Sequence, residues 1–351
     1  MCILSSKIDS TNAPDALLTS NCSRDEYKST VVAIPLLAFL VLLTGSLSIF
    51  FVSTILPALY ILVYILRSFR WNLLLNRVVE SISAISVYYI YMAGLVINYI
   101  IPVRLGELAK SVFLKKNNNI PIAISMPTIL IDKMLDLFPV VFLMILIPWL
   151  PEEKPFIIGI ILYTLSIIFF GGLIFFIVAV RNIMIFKRFT LFLAKIFSRK
   201  YIDKIDKFLD KFIVTINLIV AIDSKYLIKI ISLSIIIILL DGLYLWLAFI
   251  AFSKSISFYY VVIGYTLLNL TYILPTPPAQ LGSNEILSLI IFHNFLGIEK
   301  NLVGTVLTIT HIITASIIII IGYLSLNIIG IKLNTIKEYV NDRGEKASDK
   351  D

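Results

Sequence analysis

Long uncharged stretches separated by short charged ones dominate the pattern of this chain. Apolar runs occupy residues 31–66, 82–101, 120–150, 156–180, 227–252, 258–274, 279–296 and 302–329. A helix needs roughly 20 residues to cross about 30 Å of hydrocarbon, so most of these runs predict membrane-spanning helices. The first, Val31–Leu66, carries no charge over 36 residues. That is too long for one crossing and predicts two helices turning near Gly45-Ser46. Between the fourth and fifth runs the pattern changes. Ile205, Phe208, Leu209, Phe212, Ile213 and Ile216 fall on one helical face, and Lys200, Lys204, Lys207 and Lys211 on the other. This segment reads either as an amphipathic helix in the membrane interface or as a connector lying on the bundle.

Two of the runs are interrupted in the same way. Residues 98–107 read NYIIPVRLGE and residues 271–285 read TYILPTPPAQLGSNE. Both run Tyr-Ile-apolar-Pro, then reach Gly and Glu after an apolar residue. Pro102 and Pro275 stand 173 residues apart, almost half the chain. Paired breaks at corresponding places in two halves point to a transporter-type binding site. The expected fold is an all-α polytopic membrane protein of about 6–8 transmembrane helices. Two broken, re-entrant elements would be related as an inverted repeat. A polar segment, 1–30, precedes the transmembrane domain, 31–329. Its halves, 31–180 and 227–329, are joined by a basic amphipathic loop, 181–226, and a polar tail, 330–351, follows. Re-entrant backbone is tolerable only beside protein or water.

Composition agrees with this pattern. The chain is 59% hydrophobic and 15% charged, against roughly 45–50% and about 25% in soluble domains. A soluble globule and a disordered chain are both excluded. Cys2 and Cys22 in the polar head do not make a disulfide scaffold. Of the net charge of +8, Arg181–Lys229 contributes +7, eleven Lys/Arg against four Asp. A basic block beside spans is a cytoplasmic loop on anionic lipid, not a nucleic-acid-binding face. If both interrupted runs dip in and return, the N-terminus, the Arg67–Arg77 loop, Lys115-Lys116, the basic loop and the tail all face the cytoplasm. The outer loops keep Glu152-Glu153-Lys154, Lys254 and Glu299-Lys300. The expected location is the cell membrane, without a cleaved signal peptide, because no basic region runs into a short apolar segment at the start.

Charges within apolar runs cost at least about 2.5–3.5 kcal/mol each at the bilayer centre, which makes them functional candidates. They are Arg104, Glu107, Asp132, Lys133, Asp136, Asp241 and Glu285. Arg104 and Glu107 are three apart, a pairing distance on a helix. Asp132 and Asp136 share a helical face, with Lys133 beside them. Arg104 and Lys133 either neutralise these acids structurally or meet an anionic headgroup, for which the arginine fork is suited. Asp241, alone before Gly242, has no assignable role. The sequence contains no phosphate-cradling loop ending in Gly-Lys-Ser/Thr, no His-Glu-x-x-His and no Cys/His metal spacing. No catalytic residue, cofactor or resident metal is expected, although Asp132 and Asp136 together with a substrate phosphate form a weak Mg²⁺ candidate. His293 and His311 read as packed or interfacial. Trp71, Tyr88, Tyr89, Tyr91 and Trp149 read as interface anchors.

The run GLVINYIIPVRLGELAKSVFLKK, followed by DKMLD, resembles the transmembrane domain of lysylphosphatidylglycerol synthases. That family includes stand-alone flippase-like proteins of the UPF0104 type. Its pattern is Asn, Pro-x-Arg-x-Gly-Glu, acidic-Arg-x-x-Asp, and late Pro-x-x-Pro-Gly-Gly-x-Gly-x-x-Glu. Here it falls on Asn98, Pro102, Arg104, Gly106 and Glu107, on Asp132, Lys133 and Asp136, and on Pro275, Pro278, Gly282 and Glu285. Lys133 replaces the usual Arg, and Ala279-Gln280 replace Gly-Gly. Only 22 residues follow Ile329, so lipid lysylation by an aminoacyl-transferase domain is not expected. The resemblance implies a flippase of a phospholipid or polyprenyl-phosphate-linked lipid, with these residues binding the headgroup. Membrane lipids are the expected partners, together with a partner glycosyltransferase or a further copy of the chain. A membrane glycosyltransferase or its accessory subunit is the alternative reading, and a secondary ion or solute transporter a third.

Overall fold

The computed structural model describes residues 50–101, 105–137, scattered positions between 164 and 192, 202–221, 223–252, 256–271 and 277–331. Among these residues all regular structure is helical. A π-helical turn, Phe51–Ile55, leads into α1, Leu56–Leu75, whose first turn holds a proline. That proline has no N–H to continue the helical ladder, and the widened π-helical turn stands directly before it. α2 (Ala84–Ile100), α3 (Gly106–Asn118) and α4 (Ile122–Leu137) follow. Then come α5 (Ile202–Val220), α6 (Ser224–Ala251), α7 (Phe258–Thr271), α8 (Ser283–Ser288) and α9 (Lys300–Ile328). Residues 52–75, α6 and α9, of 24, 28 and 29 residues, are long and apolar enough to cross a membrane.

α1 and α6 lie antiparallel along each other. The Tyr226 hydroxyl donates to the Leu73 carbonyl, Arg70 Nη1 to Ser234 Oγ at 3.1 Å, and the Tyr60 and Tyr244 rings stand 5.6 Å apart. α4 is also antiparallel to α1, with Trp71 Nε1 donating to Thr128 Oγ1 at 3.0 Å and Arg67 reaching Asp136. Arg67 and Arg70 therefore lie inside α1, not in a cytoplasmic loop as their position after an uncharged run suggests. Trp71 and Tyr91, 0% and 1% exposed, are core residues rather than interface anchors. Tyr88 and Tyr89 are half-buried, and Trp149 lies outside the described residues, as does the turn at Gly45-Ser46.

The two interrupted runs each fold back on themselves. α2 begins at the C-terminal end of α1, where Asn76 Oδ1 accepts from the Ile82 N–H at 2.8 Å and Asn72 Nδ2 donates to its carbonyl at 3.0 Å. After the break, α3 returns along α2. A Cβ on Gly106 would sit 2.0 Å from the Gly94 carbonyl oxygen, so only glycine allows this approach. α3 ends at Asn119, a left-handed cap (φ 58°), and Asn117 Nδ2 ties that end to the Ile329 carbonyl beyond α9 at 3.1 Å. α7 returns through a 3₁₀ turn (Pro278–Gln280), α8 and a π-helical turn (Leu289–Phe295), and Gly264 faces the Phe292 ring.

The hairpins enter from opposite ends. One core cluster joins Trp71 and Leu75 of α1 to Val87, Phe113 and Leu326 at the first hairpin's base. The other joins Leu56 at the opposite end of α1 to Phe249, Val261, Phe292 and Val303 at the second hairpin's base. The two hairpins therefore pack against opposite ends of α1. α5 lies on the bundle against α4, burying Leu209, Ile216 and Ile219 and exposing Lys204, Lys207 and Lys211. Phe208, on the apolar face of the sequence pattern, is 37% exposed.

Candidate functional site

Both hairpin tips reach a cavity of about 460 Å³. Its walls include Tyr64 and Arg67 from α1, Asn98 from the first tip, Gln280 and Asn284 from the second, and His311 from α9. The α1 and α9 positions fall near the middle of those two long apolar helices. Polar and aromatic side chains dominate its lining, an arrangement that lipid alone would not stabilise.

A continuous chain of ion pairs forms one wall. Lys110 Nζ lies 2.9 Å from Glu107 Oε2, and Lys133 Nζ lies 3.3 Å from Glu107 Oε1 and 3.4 Å from Asp136 Oδ2. Asp136 Oδ1 receives Arg67 at 2.7 Å and Arg70 at 2.6 Å. Arg67 continues to Asp241 at 2.5 Å, and Arg70 to Asp132 at 2.8 Å. Four cations face four carboxylates in this network, drawn from α1, α3, α4 and α6. The low dielectric that makes a lone buried charge expensive also strengthens each of these pairs. Lys110 is 1% exposed, and its Nζ stands 3.8 Å from the centroid of the Tyr91 ring. Lys133 differs from the others. Its side chain is 41% exposed and its contacts are the longest in the network.

Asp132 and Asp136 do share a helical face, since Arg70 spans both. One oxygen of each is held by guanidinium groups and Asp136 Oδ2 faces the Lys133 ammonium, which leaves the pair a poor Mg²⁺ site. Lys133 points instead to Glu107, joining the two parts of the family-like pattern. Arg104, expected to pair with Glu107, lies outside the described residues with Pro102 and Pro275; Glu107 pairs with Lys110 and Lys133. Asn98 accepts a 2.6 Å hydrogen bond from the Gly106 N–H and closes the first tip across its break. Pro278 starts the 3₁₀ turn of the second tip, and Gly282 (φ 76°) caps the start of α8. Ala279 and Gln280 also have positive φ, 52° and 59°, at a cost of about 1–3 kcal/mol each. These are the residues that stand where the family pattern has glycines.

Glu285, in the first turn of α8, approaches His311. Its Oε1 is 2.5 Å from His311 Nδ1, and His311 Nε2 is 2.9 Å from the Ala279 carbonyl oxygen. His293 Nδ1 meets the Ile298 carbonyl at 2.8 Å and closes the turn before α9. Four participants are not placed in the site by the sequence reading. Arg67 and Arg70 look like the end of a span, since their partners lie 62 to 174 residues away. Lys110 did leave a signal, a lysine three residues after Glu107 in an otherwise apolar segment. His311 left one too, as a titratable group within a long run without acids or bases.

Residues 28–322 match the family described as "Lysylphosphatidylglycerol synthase TM region". A UPF0104 membrane protein of Methanocaldococcus jannaschii is 23% identical over 278 residues, covering 77% of this chain and 82% of that protein. No solved structure matches the chain. The match spans both hairpins and every helix of the ion-pair network, and the chain belongs to the lysylphosphatidylglycerol synthase transmembrane-region family.

Proposed function

We propose that this membrane protein is a flippase, which takes a polar lipid headgroup into the central cavity and passes it across the bilayer. The observation that supports this most is the meeting of two hairpin tips from opposite ends at one polar cavity. Each tip shields the cavity from one side, so displacing one tip at a time would open it to one face at a time. A headgroup phosphate would meet Lys133, whose exposed ammonium has long contacts that a stronger acceptor displaces. Arg67 and Arg70 would stay engaged with their aspartates and keep the wall rigid. Phospholipid or polyprenyl-phosphate-linked lipid is the substrate class, the N- and C-termini and the basic loop face the cytoplasm, and the membrane is the cell membrane.

The test is reconstitution in liposomes carrying fluorescent phospholipids or fluorescent lipid-linked sugars, followed by access of a membrane-impermeant quencher. Lipid movement above the protein-free rate is expected, with Lys133→Gln slowing it roughly tenfold, as for the loss of one charged contact of about 1.5 kcal/mol. Movement no faster than in protein-free vesicles for every lipid tried would overturn the reading. Glycosyl transfer in place of movement would favour a membrane glycosyltransferase.

A further inference from the structure

We infer that His311 and Glu285 form a proton-binding site that latches the tip of the second hairpin onto α9. The Ala279 carbonyl oxygen only accepts, so His311 Nε2 must carry a proton to bond it. The 2.5 Å contact between His311 Nδ1 and Glu285 Oε1 needs another, whichever atom holds it. A neutral imidazole has one N–H, and an ionised carboxylate has none. With both groups in those forms, one N–H faces two acceptors and one contact is lost. The observed geometry therefore contains one proton more than a neutral histidine beside a carboxylate.

The surroundings single out this pair as the group that titrates. Tyr60 and Tyr64 on α1, Tyr99 on α2, Tyr244 on α6 and Tyr265 on α7 line the same cavity, but phenols ionise only at about pH 10. Arg67, Glu107, Lys133, Asp136 and Asp241 face it as well, each already in an ion pair. What the proton holds is a tip under strain, since Ala279 and Gln280 both adopt left-handed backbone. Losing it would release either the Ala279 carbonyl or the first turn of α8, so the latch closes when protonated and opens when not. Only its coupling to lipid movement rests on the flippase reading.

The test uses the full-length chain in lipid bilayers, with Cys2 and Cys22 replaced by Ser. Nitroxides are attached at Leu281→Cys and Ile312→Cys, two exposed positions beside the latch on the tip and on α9. Dipolar broadening between the labels reports their separation. Broadening is expected at about pH 5 and its loss at about pH 9, a range that brackets histidine titration. Glu285→Gln should stay broadened at both values, because its carboxamide donates to a neutral Nδ1 without an added proton. His311→Phe should lack broadening at both. Wild-type broadening that does not change with pH, or a wild-type pH response in Glu285→Gln, would overturn the site. If His311→Phe does not fold, Glu285→Gln alone decides. A pH-dependent latch without lipid movement would sink the flippase reading and leave the proton site standing; movement with pH-independent broadening does the reverse.

Discussion

Arg70 uses all three of its guanidinium nitrogens: Nε and Nη2 on Asp132, Nη2 also on Asp136, and Nη1 on Ser234. No lysine could serve these acceptors at once, because a single ammonium has no planar fork. Arg70→Met should therefore destabilise the protein by about 3–5 kcal/mol, since it strands a buried aspartate. Adding Asp132→Asn should restore most of the loss. Reversible unfolding in detergent checks both, and equal stability of the single variant would show that water already solvates Asp132. Glu107, Asp132, Asp136 and Glu285 were legible in the sequence because a charge within an apolar run is expensive wherever it sits. Arg67 and Arg70 were not, because at the edge of an uncharged run a basic residue reads as the end of a span. Only the aspartates arriving from α4 and α6 change that, and no local spacing displays them.

At the scale of elements, the first hairpin depends on Gly94 and Gly106 meeting backbone to backbone. Gly106→Ala should push α3 off α2, break the Asn98 bond to residue 106 and cost about 1–3 kcal/mol. Gly304 in α9 has open space around it, so Gly304→Ala should change stability by about 1 kcal/mol or less. Thermal unfolding of the two variants separates close approach from a general effect of helical glycine. The hairpins themselves were legible as paired Pro and Gly interruptions, whereas their closeness was not, because it depends on which glycines face each other. α5 was legible as amphipathic from its spacing, yet spacing could not say what its apolar face covers. Replacing Lys204, Lys207 and Lys211 by Gln should weaken binding of a peptide of residues 198–222 to anionic vesicles by about 1 kcal/mol per lysine. Equal binding of the native peptide to neutral and anionic vesicles would remove the electrostatic contribution.

For the whole molecule, the opposed hairpins fix which loops share a side. In full-length protein without Cys2 and Cys22, single cysteines at Arg77 and Lys116 should react with an impermeant maleimide from one face of sealed vesicles, and Asn301→Cys from the other. Labelling of all three from one face would contradict the packing of the two ends of α9 at opposite ends of α1. The balanced ion-pair network has an electrical consequence as well. Moving one elementary charge across a membrane changes the free energy by about 2.3 kcal/mol per 100 mV, but four positive and four negative groups shifting together carry no net gating charge. Voltage would then act on the cargo and on any mobile proton rather than on this wall. The current per lipid moved, measured in voltage-clamped bilayers, would count the charge of the headgroup.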